Sequence, residues 1–96
     1  MTLSKNKLSL EIDIAQWRWL MPHVERDALF VVSRDLELGE VGERVAADDA
    51  EIVQRWLASQ LVAKPSLEQL SAWGDDPSRN FNMLIVSPFI LIQEQD

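Results

Sequence analysis

At 96 residues, 47% of them apolar and 26% charged, the chain has the size and composition of one packed domain and no room for a second. A net charge of −7 argues against nucleic-acid backbones and anionic membranes, which bind basic surfaces; it suits basic protein partners, cations or plain solubility. The absence of cysteine removes disulfides, thiolate chemistry and cysteine-ligated metals.

Lys5 and Lys7 near the start are followed by Glu11 and Asp13 rather than by an apolar run, so no export signal is expected. The stretch from Met83 to Ile92 is broken by Ser87 and Pro88 and falls short of the ~20 residues a membrane helix needs. The expectation is a cytoplasmic protein, with residues 1–12 as a mobile N-terminal segment and residues 13–96 as a single α+β domain.

Leu8, Leu10, Ile12 and Ile14 alternate with polar residues in the manner of a strand. Asp13 and Gln16 have the spacing of a capping box, which predicts a helix from Asp13 onward with Ile14, Trp17, Met21 and Val24 as its inner stripe. Pro22 should kink or break it. The run from Ala28 to Val32 predicts a buried strand. Asp35 is placed to cap a helix whose inner stripe is Leu38, Val41 and Val45, with Glu40 and Arg44 spaced for an ion pair. Gly39 and Gly42 weaken that helix by ~1 kcal/mol each unless something packs closely on its face.

Asp48 and Glu51 repeat the capping-box spacing ahead of Ile52, Val53, Trp56 and Leu57, and this helix should end near Ser59 and Gln60. Leu61 to Ala63 predicts a short strand. Ser66 and Gln69 then open a helix with Leu67, Leu70 and Trp73 inside and Gly74 as its C-terminal cap. The runs Phe81 to Val86 and Phe89 to Ile92 predict the last strands. Because they do not alternate cleanly, both of their faces need cover, from helices on two sides or from a second copy of the chain. The expected architecture is three or four helices on a small three- or four-stranded sheet, in a single layer pair.

This order of features resembles the small bacterial proteins grouped as domain of unknown function 2288. The residues that carry the likeness are Trp17, Asp35-Leu36-Glu37-Leu38, Trp56-Leu57, Ser66-Leu67-Glu68-Gln69, Trp73, and the closing Val86-Ser87-Pro88-Phe89-Ile90-Leu91-Ile92-Gln93. The resemblance implies a compact bacterial domain, with no activity or catalytic residue attached to it. Where the family often has glycine this chain has Asp27 and Gln60, which leaves tight helix-ending turns there without their usual residue. Where it often has tryptophan this chain has Phe89.

No residue set composes a recognisable catalytic site. The three glycines, at 39, 42 and 74, form no phosphate loop. His23 is the single histidine and has no second nitrogen or sulfur ligand to share a zinc ion with. Seven of the sixteen carboxylates lie between Asp35 and Glu51 against Arg44 alone. Asp35, Asp48, Asp49 and Glu51 have helix starts available to them, where negative charge is favourable. Glu37, Glu40 and Glu43 remain, together with Trp19, which cannot share a helix face with Trp17. These four are the candidate partner contacts. No catalytic, metal or cofactor residue is expected. The preferred function is a non-enzymatic interaction or accessory module that self-associates, as a homodimer or with another protein partner, and without nucleic acid or membrane. The competing readings are a carboxylate- and divalent-cation-dependent enzyme, and an acidic protein that masks a basic nucleic-acid-binding partner.

Overall fold

The computed structural model describes residues 12–95. All of the expected segment 1–12 except Ile12, and with it most of the alternation from Leu8 to Ile14, therefore lies outside the described residues. The elements follow in the order β1 (Asp13–Gln16), α1 (Trp17–Val24), β2 (Leu29–Val32), α2 (Leu38–Ala46), α3 (Ala50–Ala58), β3 (Val62–Ala63), α4 (Leu67–Gly74), β4 (Asn80–Val86) and β5 (Phe89–Glu94). The strands form one mixed sheet in the order β1-β4-β5-β2-β3. All neighbours are antiparallel except β2 and β5, which run parallel from Leu29 opposite Ile90 to Val31 opposite Ile92.

The class is α+β, as the sequence implies, but among the described residues the sheet has five strands rather than three or four. The extra strand is β1. Asp13 to Gln16 pair with Met83 to Asn80 along the edge of β4, and Gln16 is extended, at φ −83° and ψ 150°, with no side-chain cap. The ladder continues past the strand, since the amide of Trp17 donates to the Arg79 carbonyl at 2.9 Å. An open sheet edge thus overrides the local capping spacing. The helix starts four residues later than expected, its buried residues are Trp17 and Leu20, and Met21 is exposed. It runs on through Pro22 to Val24.

Helices cover the sheet on both sides, so the expected single layer pair becomes two. Successive strand residues point to opposite faces, and the buried residues separate accordingly. On the first face Trp17 and Leu20 of α1 and Trp73 of α4 pack with Leu29, Phe81, Ile90 and Ile92. Three rings interlock there, with centroids 4.9 Å apart for Trp17 and Trp73 and 4.8 Å for Trp73 and Phe81. Such pairs add ~0.5–1.5 kcal/mol each beyond their burial. On the second face Leu38 and Val41 of α2 and Trp56 of α3 pack with Val32, Val62, Leu84 and Leu91. β5 lies at the centre of the sheet, which is why Ile90, Leu91 and Ile92 are all buried in succession.

Several local expectations change. Neither α2 nor α3 has a side-chain cap: their N-cap residues are Glu37 and Asp49, while the Asp35 amide is held instead by the Ser33 hydroxyl oxygen at 3.1 Å. Arg44 pairs with Asp49 at 2.9 Å rather than with Glu40, linking the end of α2 to the start of α3. The box of Ser66 and Gln69 forms in both directions. Leu67, the first residue of α4, is 85% exposed and joins neither core, unlike Leu70 and Trp73, and Gly74 is the last residue of that helix rather than a left-handed cap.

Candidate functional site

Both edges of the sheet end in short strands, but they are protected differently. β3 has two residues and runs directly into Lys64 and Pro65. A lysine and a proline at an edge oppose pairing with another chain. β1 has four residues and contains neither. Its partner β4 occupies one side, and among the described residues no strand pairs with its other side. Among the described residues eight large apolar side chains are exposed, and four of them lie along this stretch of chain: Ile14 at 62%, Trp19 at 61%, Met21 at 45% and Ile12 at 36%; Leu57, Leu67, Ile85 and Phe89 are the others. Scattered exposed apolar residues are ordinary on a surface; four within ten residues of chain, two of them on or next to β1 and two on the helix that follows it, are more than that.

The sequence singles out Trp19, Glu37, Glu40 and Glu43, and the fold does not bring them together. Trp19 is on α1, which packs on the first face, whereas Glu40 and Glu43 are on α2, which packs on the second, and Glu37 is its N-cap residue. Glu37 and Glu40 are exposed and Glu43 is half-buried. The side chains of Leu38, Val41 and Val45 turn inward, which directs the acidic residues of α2 to its outer side. Glu51 meets Arg55 one turn on, at 3.6 Å. Among the described residues no three carboxylates or histidines are grouped as a metal ion would require. His23 is half-buried, and its carbonyl accepts the Ala28 amide in the turn after α1. By sequence, Ile14 and Met21 belong to the inner stripe of a helix and Ile12 is not singled out, yet all three are exposed. The signal that could have placed Ile12 and Ile14 is their alternation around Asp13, a pattern that a half-exposed strand shares with many helix starts.

A second feature is an open groove where β2 and β5 reach their carboxyl ends. Ser33, Arg34, Asp35, Lys64, Glu68 and Glu94 are among its lining. The loop after β2 is pinned there by Gln93, whose side-chain amide donates to the carbonyls of Ser33 at 2.8 Å and Leu36 at 2.7 Å. Glu94 is paired with Arg79 at 2.7 Å, and Lys64 with Asp27 at 3.4 Å. Ser66 and Gln69 satisfy one another in their capping box. Among the described residues no polar or charged side chain is buried, so nothing resembles the desolvated acid, base or nucleophile of a catalytic cleft. No helix among them is long and apolar enough to cross a membrane.

No curated protein matches this chain. Among solved structures it is similar to the NMR solution structure of PA1075 from Pseudomonas aeruginosa, at 30% sequence identity and a TM-score of 0.80, over 97% of this chain and 86% of that one. The family described as "Protein of unknown function (DUF2288)" matches residues 3–94. With a match over nearly its whole length, the chain belongs to that family.

Proposed function

We propose that this protein is a non-enzymatic interaction module that self-associates through the β1 edge and the apolar residues around it. The observation that carries the reading is the difference between the two sheet edges. β3 runs into Lys64 and Pro65, while among the described residues no strand pairs with the outer side of β1, and the chain from Ile12 to Met21 exposes Ile12, Ile14, Trp19 and Met21. An antiparallel pairing of β1 with its own copy is isologous and closes on itself as a dimer. Centred on Ile14, it sets Asp13 against Ala15 of the other copy and avoids facing two carboxylates.

Size-exclusion chromatography with light scattering at tens of micromolar tests this. A dimer is expected for the native chain, and a monomer for Ile14→Lys and for Trp19→Ala, each with an unchanged circular dichroism spectrum. A monomeric native chain at that concentration sinks the reading. The acidic surface also supports capture of a basic protein. That interaction would weaken as salt is added, whereas pairing of two chains of charge −7 should strengthen.

A further inference from the structure

We draw no further inference here: the strongest candidate, the groove at the carboxyl ends of β2 and β5, carries nothing because its polar side chains are exposed or already bonded within the fold and no buried one is left to receive a ligand.

Discussion

Asp27, Asp48 and Gln60 have φ of 57°, 60° and 64°, in the left-handed region that glycine adopts without a Cβ penalty. Each follows a helix and completes the same pair of hydrogen bonds. The amides of Asp27 and Ala28 reach the carbonyls of Val24 and His23, those of Asp48 and Asp49 reach Val45 and Arg44, and those of Gln60 and Leu61 reach Leu57 and Trp56. The turns that lack glycine at 27 and 60 therefore form all the same. The chain meets the backbone strain because the bonds satisfy helix-end carbonyls that would otherwise be unpaired. Aspartate tolerates this region better than glutamine. Gln60→Gly should stabilise the protein by about 0.5–1 kcal/mol, and Asp27→Gly by less, once the greater freedom of glycine in the unfolded chain is deducted. Urea denaturation measures both, with Gln60→Ala as a control that should gain nothing from relief of strain. Gln93 offers a contrasting case. Replacing it by leucine leaves the Ser33 and Leu36 carbonyls without their donor. The expected loss is about 1–2 kcal/mol, because the site is only part-buried and water can recover some of the bonding. A urea midpoint equal to the native one would show that the loop after β2 does not depend on Gln93.

At the scale of elements, packing decides where local chemistry is ambivalent. Of the three capping-box spacings in the sequence, only that of Ser66 and Gln69 forms a box. Pro65 immediately before it helps, since proline holds the preceding chain out of the helical region and leaves Ser66 at the boundary. Ser66→Ala should cost about 1 kcal/mol. A change well below half of that would mean that Trp73, rather than the cap, holds α4 in place. Gly42 in α2 is buried, and a Cβ there would run into the Leu84 side chain and lie 3.6 Å from Cγ2 of Val86. The helix lies close on β4 because this residue has no side chain. Gly42→Ala gains about 1 kcal/mol of helix propensity but forces the fully buried Leu84 to shift, an overpacking cost of about 1–3 kcal/mol. A net loss is expected, and it should shrink when Leu84→Ala is made in the same chain. A double-mutant cycle on thermal denaturation reads this coupling directly. Additive losses would remove the steric explanation.

At the scale of the molecule, the sheet is covered on both faces by its own helices, so most of the apolar C-terminal strands is buried without a second copy, and only Ile85 and Phe89 near their shared turn stay exposed. The proposed self-association rests instead on the rim of the sheet, a surface that neither core uses. It should therefore be separable from stability: Ile14→Lys should abolish the dimer and leave the urea midpoint measured at low protein concentration nearly unchanged. If the midpoint falls with the dimer under those conditions, Ile14 belongs to the fold and not to an interface. Raising the salt from low to physiological strength shortens the Debye length from about 30 Å to about 8 Å. The dimer fraction in light scattering should rise over that range, and a fall would point to a basic partner or to ion pairs at the interface.

The sequence by itself determined the class of the molecule, the positions of most of its elements and its charge. Apolar runs such as Phe81 to Val86, the Ser66 cap and the break at Pro88 are local chemistry, legible without a partner. It also supplied Trp19 as an exposed aromatic, because two tryptophans two residues apart cannot both point inward from one helix. Only the tertiary structure decided that Asp13 to Gln16 are a strand. Their capping spacing and their alternation are equally good locally, and the open edge of β4, nearly seventy residues away, settles the choice. The same holds for the two faces. Nothing local says whether helices or a second copy cover β5, because that depends on where helices far apart in sequence come to rest. The polarity of the groove and the unequal protection of the two sheet edges follow from strand order, a property of the assembled sheet and not of any segment within it.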